Sequence, residues 1–134
     1  MTSVRFIERN LNKDSRGILT SVEAFRETGI LYKRFFLIQD VIGGIRGGHA
    51  HKYTNQIFTL VKGKLNIKYQ YFNQIGNLEL NSKSKPIFFP KLTWIEMSKI
   101  NREAIILVLS SDEYNIENSI RSKKEFDEFI KSLK

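Results

Sequence analysis

Between residues 64 and 72 the chain alternates: Leu65, Ile67, Tyr69 and Tyr71 fall on one side, Asn66, Lys68 and Gln70 on the other. Successive side chains of a strand point to opposite faces, so this pattern predicts a strand with one face buried. Runs rich in aromatic and β-branched residues at 30–38 and 56–61 predict two more strands. A short turn at Lys62-Gly63 separates the second of these from 64–72. Gln74-Ile75-Gly76-Asn77 reads as a hairpin turn, with 78–80 as the return strand. Pro86 and Pro90 bracket Ile87-Phe88-Phe89, and prolines that bound a strand are expected at a sheet edge or at the strand's ends. The apolar run at 102–109 predicts a strand buried on both faces.

The tail changes period. Phe126, Phe129, Ile130 and Leu133 recur at helical spacing, while Lys123, Lys124, Glu125, Asp127, Glu128 and Lys131 occupy the other side. Ser122 is the expected N-cap, and Glu125 completes a capping box. One amphipathic C-terminal helix docked on the sheet follows. No repeat, low-complexity tract or linker interrupts the chain, and its 134 residues suit one domain spanning 1–134. Many short strands with Gly-rich turns predict an all-β sandwich or barrel.

Composition narrows the function classes. A hydrophobic fraction of 41% and a charged fraction of 27% belong to a globular protein, not a disordered or fibrous one. With Cys 0, disulfides, thiolate chemistry and Cys-based zinc sites are excluded. No apolar run approaches the roughly 18 residues of a membrane span. Met1-Thr2-Ser3-Val4-Arg5-Phe6 lacks the apolar stretch of a secretory signal. A cytoplasmic protein with no membrane partner is expected. The 22 Lys and Arg against 14 Asp and Glu give a net charge of +8. A nucleic-acid reader concentrates such charge in a stripe. Here it is scattered over nearly every segment, which favours an anionic small ligand over nucleic acid.

Both histidines lie in Gly43-Gly44-Ile45-Arg46-Gly47-Gly48-His49-Ala50-His51-Lys52. On a strand His49 and His51 point to the same face, and the glycines upstream let the backbone turn sharply or a ligand come close. Taken alone, the pair is as readily without a function, structural or on the surface beside a loop, as functional. It is also a pair of groups that titrate near neutrality and suit acid–base work.

The spacing around the pair resembles the first motif of the cupins, small antiparallel jelly-roll barrels. It runs Gly43, five residues, His49-Ala50-His51, four residues, Gln56, six residues, Gly63. Gln56 stands where a cupin metal site has Glu. In the second motif Pro90 is kept, while Leu92 replaces Gly and Ile95 replaces His. Two imidazoles, a neutral amide and an aliphatic group are a poor donor set for a transition metal, so no metal and no cofactor are expected.

Arg46-Gly47-Gly48-His49-Ala50-His51-Lys52 is similar to the Arg-Gly-x-His-Ala-His-Lys signature of the sugar nucleotide 3,4-ketoisomerases, a cupin family. Supporting segments are Asp14-Ser15-Arg16-Gly17-Ile18-Leu19, Lys33-Arg34 opening a strand, Gln56, Trp94-Ile95-Glu96-Met97, the 107–114 segment from Leu107 to Tyr114, and Ile120-Arg121. The resemblance covers nearly the whole chain. It implies an all-β, single-domain cupin jelly-roll barrel with a short C-terminal helix. The implied substrate is dTDP-4-keto-6-deoxyglucose and the product a dTDP-3-keto-6-deoxyhexose, without a cofactor. The product would lead to a 3-amino-3,6-dideoxy sugar of a surface glycan such as a lipopolysaccharide O-antigen.

In that reading His49 removes the C3 proton, which the adjacent C4 ketone acidifies. His51 moves a proton between the oxygens or returns one to carbon, and the two roles are interchangeable at this point. Arg16, Arg34 and Arg46 are candidates for the phosphates, which guanidinium groups hold bidentately; Arg46 is also a candidate for the enediolate. Gln56 belongs to the binding set, as does Glu96, on a sugar hydroxyl or paired with an arginine. Trp94 is read as a core residue ahead of a thymine platform. Arg16-Gly17 resembles the members that make the galacto product, although alone the two residues equally describe an exposed turn.

Two departures matter. Phe36 and Leu37 stand where family members commonly carry two tyrosines, and Ile95 replaces the His of Trp-His-Glu-Met. Either a water, Tyr32 or Tyr53 supplies the missing group, or the chain is a non-catalytic nucleotide-sugar binder. A cupin sugar epimerase ranks lower, because the tyrosines lie elsewhere than in that class. A metal-dependent dioxygenase is disfavoured by Gln56 and Ile95. The family further implies a homodimer with strands exchanged between barrels, and the strand-like stretch at 4–7 is the expected exchanged edge.

Overall fold

Period-two patterning builds two antiparallel sheets in the computed structural model, which describes residues 2–133. Met1 and Lys134, the ends of the expected 1–134 domain, lie outside the described residues. The strands are β1 (Arg5–Phe6), β2 (Asn10–Asp14), β3 (Gly17–Ser21), β4 (Arg34–Gln39), β5 (Arg46–His51), β6 (Gln56–Lys62), β7 (Lys64–Tyr71), β8 (Gln74–Asn81), β9 (Ile87–Phe89), β10 (Trp94–Ser98), β11 (Ile105–Ser110) and β12 (Ser119–Ile120). The helices are α1 (Ala24–Thr28) and α2 (Lys123–Ser132). One five-stranded sheet runs β1-β9-β6-β11-β4, the other β12-β5-β10-β7-β8, and β2 with β3 forms a separate hairpin.

The inner faces of the two sheets share one core. Phe58, Leu60, Ile106 and Val108 from the first meet Leu65, Ile67, Ile95 and Met97 from the second. The all-β jelly-roll expectation holds with one correction: the sheets do not close as a barrel. From β4 to β12 consecutive strands switch sheets, except in the β7–β8 hairpin. The turn between β6 and β7 is such a switch rather than a hairpin, and Gly63 makes it possible. Its φ is +94°, and a Cβ there would sit 2.6 Å from Ala104 Cα.

Several local expectations are corrected. The β7–β8 turn falls at Phe72-Asn73, with Tyr71 paired to Gln74, so β8 starts four residues before the expected return strand. The strand expected at 30–38 begins only at Arg34. For β9 the strand-end alternative holds and the edge alternative does not: Pro86 and Pro90 stand just outside its ladder, and β9 lies between β1 and β6. The stretch at 4–7 pairs through Arg5 and Phe6 with β9 of the same chain. β11 is not buried on both faces. Ile106 and Val108 are buried, but on the other face Ile105, Leu107 and Leu109 are only half-buried, with Leu109 packed on the cluster of Ile7, Ile57 and Phe88.

The C-terminal helix forms as expected. Ser122 Oγ accepts from Glu125 N at 3.3 Å, and Phe126 and Ile130 pack on Ala50, Trp94 and Ile120. No helix among the described residues is long and apolar enough to cross a membrane. Phe126 is fully buried, so Phe126→Ala should lower the unfolding free energy by about 3–5 kcal/mol in urea. The exposed Leu133 (51%) should change it by less than about 0.5 kcal/mol when cut to Ala.

Candidate active site

β5 aims the histidines. Ala50 is completely buried under α2, against Trp94, Ile120 and Phe126. Strand alternation then turns His49 and His51 to the opposite face. Gly47 lets β5 lie against β10 where the register shifts between Ile95 and Glu96. Its φ is +98°, and a Cβ there would stand 2.9 Å from the Ile95 carbonyl oxygen.

The two imidazoles meet edge to face, with centroids 5.1 Å apart, in a cleft of 270 Å³. Arg34 and Phe36 of β4, Arg46 of β5, and Thr54, Ser110 and Tyr114 also line it. Asn118 and Arg121 complete the nearby wall with Glu113, Asn115 and Ser119. This volume lies just below the usual ligand-site range of about 300–1,000 Å³.

A buried polar network holds the loops behind the histidines. Thr54 Oγ1 donates to Asp112 Oδ2 at 3.0 Å, and Asn118 Nδ2 donates to Thr54 Oγ1. Tyr53 N donates to Asn118 Oδ1 at 2.8 Å, and Asn55 N to Ser111 Oγ at 2.9 Å. The His51 carbonyl accepts from Leu92 N at 2.7 Å, and His51 pairs with Ser119 of β12. Both loops that flank His51 are thus tied to each other, which fixes its backbone without using its ring.

The charge balance leans positive, three arginines against Glu113. The ion pairs among the described residues are Arg16–Asp14, Lys85–Glu8 and Lys123–Asp127, so Arg34, Arg46 and Arg121 face the cleft unpaired. Arg34 is held between two rings, its guanidinium carbon 4.9 Å from the Phe36 centroid and 5.5 Å from that of Tyr114. Its Nε is buried without an acceptor. Burial lowers the pKa of His51 to about 4, helped by His49, Arg34 and Arg121. Burial also lowers that of His49, and Arg121 and Arg46 add to it against a Gly47 backbone hydrogen bond that raises it. Both rings are therefore neutral at pH 7 and able to accept a proton.

Of the residues singled out in the sequence, His49, His51, Arg34 and Arg46 come together here. Arg16, Gly17, Gln56 and Glu96 do not. Arg16 and Gly17 sit at the turn of the β2–β3 hairpin, where Arg16 pairs with Asp14 at 2.7 Å and holds that carboxyl below its ordinary range. Gln56 is buried at the start of β6 and is not part of the lining. Alternation puts Glu96 on the outer face of β10 beside Trp94, away from the histidines. Trp94 is a core residue, 5.6 Å from Phe126. Ile95 faces the core opposite His49. Phe36 lines the cleft, while the outward Leu37 does not.

Neither tyrosine expected to replace a missing hydroxyl reaches the cleft. The Tyr32 hydroxyl is 2.8 Å from Thr28 Oγ1, and Tyr53 is exposed and outside the lining. Tyr114 lines it instead. Tyr114, Asn118 and Arg121 were missed as site residues. Their one signal was a polar, irregular stretch directly after an apolar strand, the usual setting of functional loops.

Residues 2–131 match the family described as FdtA: WxcM-like, C-terminal. The chain is 29% identical over 121 residues to the TDP-4-oxo-6-deoxy-alpha-D-glucose-3,4-oxoisomerase of Aneurinibacillus thermoaerophilus, covering 90% of this chain and 87% of that protein. It is similar to the crystal structure of a 3,4-ketoisomerase from Helicobacter canadensis, with TM-score 0.89, 29% identity and coverage of 98% and 99% of the two chains. It also matches QdtA, a sugar 3,4-ketoisomerase from Thermoanaerobacterium thermosaccharolyticum in complex with TDP, with TM-score 0.88, 27% identity and coverage of 97% and 96%.

The histidine shifts carry a sign. Both disfavour the charged ring in the folded state, so the unfolded chain binds protons first as the pH falls. Stability should be full above 6.5 and decline from there toward pH 4. Replacing both histidines by Asn should flatten that decline in urea titrations. In NMR the His51 ring should titrate near 4; a midpoint at or above 6.5 would contradict the burial argument.

Proposed function

Because the chain belongs to the FdtA family (WxcM-like, C-terminal) of sugar nucleotide 3,4-ketoisomerases, we propose that it converts TDP-4-keto-6-deoxyglucose to a TDP-3-keto-6-deoxyhexose. One observation carries this reading: two neutral imidazoles share a cleft with three arginines that have no ion-pair partner. The reaction needs a base for an acidified C–H, a donor for the neighbouring carbon, and positive charge for the oxyanion formed between.

His49 takes the C3 proton, and the C3–H electron pair becomes the C3–C4 double bond of an enediolate whose charge rests on the C4 oxygen. The hydroxyl proton passes from the C3 oxygen to the C4 oxygen, with His51 as carrier. A proton delivered to C4 leaves the carbonyl at C3. The roles of the two histidines are exchangeable in this scheme. Binding of a diphosphate offsets the arginine charges that depress both rings, so the imidazoles become more basic once substrate is present.

The partner proposed for the chain, besides its nucleotide sugar, is a second copy of itself. The β2–β3 arm exposes Leu11, Ile18 and Leu19 at 54–63%. The outer face of the β4-side sheet exposes Phe35, Leu37 and Val61. Apolar area of this kind calls for cover, and exchanged arms would supply it. Such an exchange is also the route by which Arg16 and Gly17 would reach a histidine cleft. The galacto configuration at C4 is proposed on Arg16-Gly17 alone. A 3-keto product is suited to amination at C3, which leads to a 3-amino-3,6-dideoxy sugar for a surface glycan made from cytoplasmic nucleotide sugars.

Incubation with TDP-4-keto-6-deoxyglucose in heavy water, followed by proton NMR, should show loss of the C3 proton and a new 3-keto product whose couplings report the C4 configuration. His49→Asn should lower turnover by about 100-fold or more; full turnover would remove His49 as the base. TDP binding with no conversion by the native chain would support the binder reading motivated by Phe36, Leu37 and Ile95. Ile18→Asp with Leu19→Asp should convert a dimer to a monomer in sedimentation, and an unchanged state would remove the arm from the interface.

A further inference from the structure

The three cleft arginines are not equivalent. Arg46 and Arg121 are exposed, whereas Arg34 is half-buried. Arg34 lies on β4 with Phe36 on the same face, and its strand start is anchored by Lys33 N donating to the Ser110 carbonyl at 2.9 Å. Stacking between Phe36 and Tyr114 confines the guanidinium. Nothing among the described residues accepts from its buried Nε. A buried donor left without an acceptor is costly, and an anionic oxygen arriving in the cleft removes that cost.

Depth separates the roles. A cleft of 270 Å³ is small for a whole nucleotide sugar, so the nucleotide extends past the mouth, where Arg46 and Arg121 are exposed. The reacting sugar carbons belong beside the histidines. Arg34 acts on His51 and Arg46 on His49, while Arg121 acts on both. Resting on the ketoisomerase reading, we propose that Arg34 is the receptor of the enediolate oxygen at C3–C4, a catalytic residue for the isomerisation, and that the diphosphate is left to Arg46 and Arg121.

The test separates turnover from nucleotide binding. Arg34→Gln should lower kcat by about 100-fold or more while TDP affinity, measured by calorimetry, stays within about twofold. Arg121→Gln and Arg46→Gln should instead weaken TDP by about tenfold or more. Added guanidinium ion should restore part of the turnover of Arg34→Ala, an effect a merely structural role would not give. The unchanged TDP affinity doubles as proof of folding. Should R34Q not fold, R34K carries the same comparison, since it keeps the charge and loses the fork. Native turnover with R34Q equally active, or with TDP affinity lost in step with kcat, overturns this proposal alone. A native chain that does not convert the substrate overturns the ketoisomerase reading as well.

Discussion

Ala50 has no exposed surface, and the burial of that one small side chain beneath α2 orients everything that follows it on the strand. A residue of larger volume would lift α2 from Trp94, Ile120 and Phe126; a polar one would bury an unpaired group. With Ala50 held outward, His49 and His51 have no choice of face. The helix at the far end of the chain is thus part of how the cleft is built, although it contributes nothing to the lining.

Electrostatics then does what the geometry alone would not. Two histidines on a solvated strand would each titrate near neutrality and repel one another once charged. In the cleft, burial comes first in depressing both rings, and the arginines follow. Unpaired cations and neutral imidazoles are mutually consistent: each arginine makes a protonated ring less favourable, and neutral rings leave the arginine charges for a ligand. An anionic substrate reverses the balance, so the same groups that keep the empty cleft basic and uncharged strengthen its bases on loading.

The parts of this arrangement visible from sequence were those set by local period. Leu65, Ile67, Tyr69 and Tyr71 marked β7, the Ser122 cap and the Phe126–Ile130 spacing marked α2, and His-Ala-His marked the shared face. What could not be seen was set by long-range pairing. Lys62-Gly63 was legible as a short turn, but spacing does not say that β6 and β7 belong to different sheets. Pro86 and Pro90 left an edge and strand ends open, and only long-range pairing decides for the ends by placing β9 between β1 and β6. Glu96 entered the binding set through the Trp-Ile-Glu-Met resemblance, but its phase on β10 turns it away from the histidines. Tyr114 and Arg121 reach the cleft through loops tied down by Thr54, Asn118 and Asp112, contacts more than fifty residues apart that no periodicity records.

Phe36 and Ile95 narrow the chemistry further. Phe36 places an apolar ring in the cleft wall, and Ile95, opposite His49, is committed to the core. Neither can donate or accept a proton. Of the tyrosines, Tyr114 lines the cleft, and its ring face is turned to Arg34. Under the ketoisomerase reading the proton traffic between C3, C4 and their oxygens therefore falls on the histidine pair. A pair 5.1 Å apart, on one strand face, with backbones fixed by the loops around them, is suited to passing protons over one sugar edge. Under that reading the apolar substitutions put proton transfer on those two rings and leave the developing negative charge to a guanidinium already stacked in place.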